Sequence, residues 1–285
     1  MLTGAVAGIG QAGVYAAIAV CLTLMARLVR VVNFAQVIIG GMSAYCASVL
    51  HAHGLPYAAG ALAGLLIAAA LSAALGWGMA RWFAEAGTDR RSAVTIVAFV
   101  LLLSVSYLLF GSYPRQFPSL LPGSAFRVGG VEVTGAAIAV VAVAIAVASA
   151  SKAVLGHTRL GLRLRALSER PVTAELAGIR STPLTIGVWV ATSLTVAVVV
   201  LLAAPTTVND QASLGLLVVP GCAAALVGAF RSLGLALLGG LALGVGEGML
   251  AQTTAVGHYR DLVPFGVILA VLIWSQRKEV WDEAR

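Results

Sequence analysis

Residues Leu184–Ala204, LTIGVWVATSLTVAVVVLLAA, run without one charged side chain behind a proline at Pro183. A hydrocarbon core about 30 Å thick takes roughly 20 residues of helix to cross. A membrane strand would instead alternate apolar and polar residues over about half that length. No such alternation is present, so the stretch reads as a spanning helix whose backbone groups bond within the segment. Eight further stretches read the same way: Gly4–Ala26, Val31–Leu50, Tyr57–Ala80, Ala93–Tyr113, Val133–Leu155, Ala212–Phe230, Ser232–Ala251 and a short Leu262–Gln276. The whole chain agrees: 60% of its 285 residues are hydrophobic and 10% charged, with a mean hydropathy of +0.99. That composition excludes a water-solvated surface. The expected fold is all-α: a polytopic membrane helical bundle of about nine spans, some interrupted, forming one transmembrane domain over residues 1–285.

The net charge of +7 does not mark a nucleic-acid binder, because the basic residues sit in short gaps between apolar runs and not along one face. They set orientation. With the N-terminus outside, Arg27, Arg30, Arg81, Arg90, Arg91, Lys152 through Arg180, Arg231, Arg277, Lys278 and Arg285 all fall inside, leaving only Arg115, Arg127 and Arg260 outside. The positive-inside rule therefore predicts N-out, C-in. No basic residue precedes Arg27, so the first span is expected to remain as an anchor. Cys21, Cys46 and Cys222 lie in apolar runs and read as buried hydrophobes, with no disulfide framework.

Two spans contain features that disturb a helix. In the second, Asn33 and Gln36 precede the pair Gly40-Gly41; at helical spacing the two amides would share a face. In the seventh, Pro220-Gly221 removes a helical hydrogen bond, so carbonyls near Leu216 and Leu217 need another partner. A packing kink explains this, and so does a pair of oppositely directed broken helices around a transport path. In the eighth, Ala236, Gly240, Gly244 and Gly248 recur every fourth residue, a small-residue face that lets another helix approach closely. Beside it Glu247, the one acid within the expected spans, either hydrogen-bonds structurally near the interface or lines a hydrated path.

The longest basic gap, residues 156–183, contains its own helix signals. Pro171 suits a first turn, Gly178 the position after the last, and Pro183 a stop before the next span. A short helix over 171–178 either enters a partner's groove or rests on anionic headgroups.

Several segments resemble the permeases of branched-chain amino-acid type ATP-binding cassette importers, a family that also includes urea and ribose-type permeases. They are Gly13-Val14-Tyr15-Ala16-Ala17-Ile18-Ala19 through Val32-Asn33-Phe34-Ala35, Thr158-Arg159-Leu160-Gly161 with Ala177-Gly178-Ile179, and Ala225-Leu226-Val227-Gly228 leading to Gly239-Gly240 and Gly246-Glu247. The resemblance implies a coupling helix in 156–183 that docks on an ATPase, with Thr173, Glu175, Leu176 and Gly178 as its residues. It also implies two ATPase subunits carrying ATP and Mg, a second permease subunit, an extracytoplasmic substrate-binding protein and the bacterial plasma membrane. The chain departs from the family pattern at Gln36-Val37-Ile38, where His-Gly-Glu is common, at Gly228-Ala229 in place of two glycines, and at Pro220, near a usual lysine.

Lys152 and Lys278 are the only lysines and neither follows a glycine, so the chain has no phosphate-binding loop and no cofactor of its own is expected. Nor does it show paired carboxylates or zinc-spaced histidines: His51 and His53 share a turn, while His157 and His258 are isolated. The expected function is passage of a small polar solute, such as a branched-chain amino acid or related amide. An ion-coupled secondary transporter is the competing reading, and it would need intramembrane carboxylates for its driving ion.

Overall fold

The computed structural model describes residues 2–128, 130–206, 210–253 and 257–283. Its helices are α1 (Leu2–Ala7), α2 (Ile9–Leu28), α3 (Ala35–Ala52), α4 (Tyr57–Trp82), α5 (Thr88–Phe110), α6 (Gly135–His157), α7 (Arg159–Glu169), α8 (Pro171–Leu176), α9 (Ser181–Ala203), α10 (Gln211–Leu216), α11 (Val218–Val227), α12 (Leu233–Ala251) and α13 (Val263–Glu283). A two-stranded antiparallel hairpin, β1 (Ser124–Val128) and β2 (Val131–Thr134), precedes α6. Among the described residues seven helical segments are long and apolar enough to cross a membrane: α2 to α6, α9 and α12. The other two expected spans fall on the shorter apolar pair α10–α11 and on α13. Arg285, counted above among the inside residues, lies outside the described residues.

The core is built around α2 and α3. From Ala16 to Leu22 every side chain of α2 is buried, because α6, α9, α11 and α12 pack around it. Helix α3 is covered by α4, α5, α9 and α10. Glycines set the closest crossings: a Cβ on Gly60 of α4 would lie 2.8 Å from the Ala47 carbonyl oxygen of α3. Between α4 and α9, Ser72 Oγ donates to the Trp189 carbonyl (2.7 Å) and lies 2.9 Å from Ser193 Oγ. By contrast α4, α5 and α6 turn much of their surface outward as Leu, Ile, Val and Trp, the solvent-side composition expected for helices in lipid.

Several sequence expectations need correction. The first span is two helices joined at Gly8, where a Cβ would overlap the Gly244 carbonyl of α12, so the junction lies at a close backbone approach. The second does not begin at Val31. Residues 31–34 are non-helical, and α3 then runs unbroken through Gly40-Gly41. The glycine pair is a packing site: a Cβ on Gly40 would stand 3.3 Å from Ala197 Cα of α9. All-α is also incomplete, since the fifth span starts at Gly135 and Val133 belongs to β2. In that strand Val133 is buried while Glu132 faces out and pairs with Arg127 across the register. The 156–183 gap holds two helices, α7 as well as α8. Gly161 explains the fold-back, as any Cβ there would overlap Val154 and Leu155 of α6.

The elements group the connections at two ends. At one, the α2–α3 and α4–α5 connections meet α7, α8 and the start of α9, and Leu28, Arg30, Ala84, Arg91, Leu167, Glu175 and Thr182 border one cleft. At the other lie the hairpin, the start of α2, the end of α12 and the start of α13.

Candidate functional site

At the hairpin end, the interruption between α10 and α11 borders a cavity of about 310 Å³. Asp210 caps α10 by accepting from Ser213 N (3.1 Å), and the helix runs inward to Leu216. It packs on α3 and α5: a Cβ on Gly215 would meet Phe99 at 3.1 Å. Pro220 carries no N–H, so the Leu216 carbonyl loses its helical donor. The ladder resumes with Gly221 N donating to Leu217 O at 3.3 Å. Helix α11 then lies against α2 and α12, with Gly221 seated on Ile18 so closely that a Cβ would overlap it. The expected break is therefore centred on Leu217, three residues before the proline that causes it.

Glu247 of α12 faces this cavity. It is 4% exposed, and its Oε2 accepts from Tyr15 OH of α2 at 2.7 Å. Gln11, one turn from Tyr15, lines the same space together with Ser213, Leu217, Val219 and Phe265. Arg260 and Asp261 stand at its rim, 3.4 Å apart and well exposed. Composition gave no reason to single out Gln11 and Tyr15. Their four-residue spacing at the start of an otherwise apolar helix was the available signal, because it places both on one face.

Ala236, Gly240, Gly244 and Gly248 lie along the buried side of α12. A Cβ on Gly240 would overlap the backbone of Ala16, one on Gly244 that of Ala12, and one on Gly248 would come 2.6 Å from Gly8 Cα. Ala236 is fully buried beside Gly228. The backbones of α2 and α12 are thus in contact over several turns, and this brings Tyr15 to Glu247.

Asn33 and Gln36 do not share a helical face, since Asn33 precedes α3. Both are fully buried, and none of their four side-chain polar atoms has a partner. The main chain around them is fastened by α5: Val32 N donates to Ser92 Oγ (3.3 Å), Phe34 N to Thr95 Oγ1 (3.3 Å), and Thr95 Oγ1 to Val32 O (2.8 Å). Buried amides normally find partners. These two are held by their backbone in a place that their side chains do not require.

At the opposite end Pro171 opens α8, Gly178 follows it with φ +83°, and Ala174 is its one buried residue. Val172 and Leu176 are 70% and 85% exposed, and Glu175 borders the cleft toward Arg30 and Arg91. Arg30, itself at φ +56°, donates from Nη2 to the Glu169 carbonyl at 3.3 Å, fastening the α2–α3 connection to the end of α7.

The profile of the family described as "Branched-chain amino acid transport system / permease component" matches residues 4–272. No curated protein matches the chain at the sequence level. Among solved structures, "PsaBC from Streptococcus pneumoniae in complex with Fab" is similar in fold, with a TM-score of 0.50 and 16% identity over 93% of this chain and 89% of that one.

Proposed function

The chain belongs to the branched-chain amino acid transport permease family, and from that premise we propose that it is the membrane-spanning subunit of an ATP-driven importer in a bacterial plasma membrane. Two ATPase subunits bind and hydrolyse ATP with Mg, a second permease subunit completes the path, and an extracytoplasmic binding protein delivers a small polar solute. The observation that carries this reading is α8. A two-turn helix that leaves Val172 and Leu176 in solvent gains little for the chain's own stability. Such a helix suits insertion into a groove on another protein. Helix α8 packs against α7 and α9, and Arg30 fastens the α2–α3 connection to the end of α7, so displacement of α8 has a route to the helices at the centre of the bundle. Asn33 and Gln36 then contribute unspent hydrogen-bonding groups to the path when those helices separate, while Gly178 and Thr173 shape the ends of α8. The deciding experiment introduces cysteines singly at 173–177 and crosslinks them to a copurified ATPase. Crosslinks at successive exposed positions are expected. Labelling of all five only from outside intact cells overturns the assignment.

A further inference from the structure

We propose that the cavity between α2, the α10–α11 interruption and α12 is a subsite for an alkylammonium group, with Glu247 as its counter-ion. The inference rests on the permease reading for its biological meaning but on its own geometry for its chemistry. Glu247 is almost wholly buried, and Tyr15 OH supplies one hydrogen bond to one of its oxygens. Among the described residues no cation lies within ion-pair distance of it: Arg260 pairs with Asp261 at the rim and is itself half in solvent. A buried carboxylate with one neutral donor retains most of its acceptor capacity, and burying a charge without a partner is costly. Other lining residues carry acceptor groups: Gln11 and Tyr15 border the same space, as does Leu216, whose carbonyl has lost its helical donor to Pro220.

What surrounds this floor distinguishes an organic ammonium from a bare metal ion. A hard cation requires a cage of converging oxygens at contact distance. Here the walls are Leu217, Val219 and Phe265, and the volume of about 310 Å³ exceeds what a single dehydrated ion fills. A charged N–H head with a short branched or linear alkyl body satisfies both parts: three donors for the carboxylate and carbonyls, and carbon for the side walls. The close contact of α2 and α12 through Gly240 and Gly244 holds Tyr15 and Glu247 at fixed separation, so the floor is preformed. The α10–α11 side is a helix interruption, an element that can yield without breaking a continuous ladder.

The test places a reporter thiol in the cavity. Ser213 is half-buried and lines the space, so Ser213→Cys in the full chain, in lipid nanodiscs, reports access to N-ethylmaleimide; the unmutated chain corrects for Cys46 and Cys222. Isobutylammonium at several times its dissociation constant is expected to slow modification about fivefold, as occupancy requires. Isobutanol and sodium chloride at the same concentration leave the rate unchanged. Adding Glu247→Gln abolishes the protection, and Glu247→Asp, which keeps the charge on a shorter arm, restores part of it. No protection by the ammonium, equal protection by the alcohol or by sodium, or protection that survives Glu247→Gln each overturns the proposal. These readouts involve no ATPase, so a failure to crosslink α8 would remove the importer reading and leave the subsite standing, and the reverse holds as well.

Discussion

Asn33 is a residue at which stability and transport are expected to pull apart. Its amide is fully buried with neither polar atom partnered, as is that of Gln36. An unpaired buried polar group costs about 1–3 kcal/mol, so Asn33→Leu is expected to leave the melting temperature unchanged or raise it, while solute-stimulated uptake falls. A drop in melting temperature of several degrees, measured in detergent with the ATPase absent, would show that the amide is a structural tie. Gly244→Leu should behave oppositely. Its Cβ would overlap the Ala12 backbone, and overpacking costs about 1–3 kcal/mol, so the variant should lose thermal stability and assembly together. A normal melting curve would mean that α2 and α12 are not in contact there. Both positions stood out in the sequence, yet for different reasons. Four small residues at helical spacing specify a face, whereas Asn33 reads wrongly as helical. Nothing in Val-Val-Asn-Phe announces that Ser92 and Thr95, some sixty residues later, will hold that segment out of the helix.

At the scale of elements, the α10–α11 interruption has an identifiable cause, and it can be removed. Pro220→Ala returns the N–H that the Leu216 carbonyl lacks, which should stabilise the segment by up to about 3 kcal/mol. Amide hydrogen exchange across residues 216–222 should then slow and transport decline, with α8 still crosslinking to the ATPase. Unchanged exchange would place the bend under tertiary control. The proline announced this break in the sequence, but the glycine pair at Gly40-Gly41 announced one that does not exist. A glycine pair has the same local meaning whether it bends a helix or admits a neighbour, and only the position of Ala197 and Val200 on α9 decides between them. The hairpin was hidden for a related reason. β2 is four residues long and its Val131 and Val133 merge with the apolar start of α6, so hydropathy absorbs it into the span. Helix α7 was masked by its arginines: Leu164 and Leu167 pack inward, but the charges between them make the segment read as a loop.

For the molecule as a whole, hydropathy allows α4, α5 and α6 to leave much of their surface outward, because an apolar helix gains nothing from burial when lipid is the alternative. Which helices sit at the centre depends instead on small residues, and Gly8, Gly13, Gly240 and Gly244 decide it by allowing backbones to touch. The two ends differ in charge. Arg30, Arg91 and the arginines of α7 and α8's flanks gather at the end that carries α8, while Arg127 at the opposite end is neutralised by Glu132 and Arg260 by Asp261. The positive-inside rule acts on the loops that remain basic, so the α7–α8 end should face the cytoplasm and the hairpin the outside. Single cysteines at Ser168 of α7, which is half-buried, and at Gly130 of the hairpin turn, which is exposed, test this directly. In intact cells a membrane-impermeant maleimide should modify the cysteine at 130 and spare that at 168, and permeabilisation should make the two react alike. The reverse pattern would invert the bundle, move α8 away from any cytoplasmic ATPase, and leave the Glu247 cavity opening toward the cell interior.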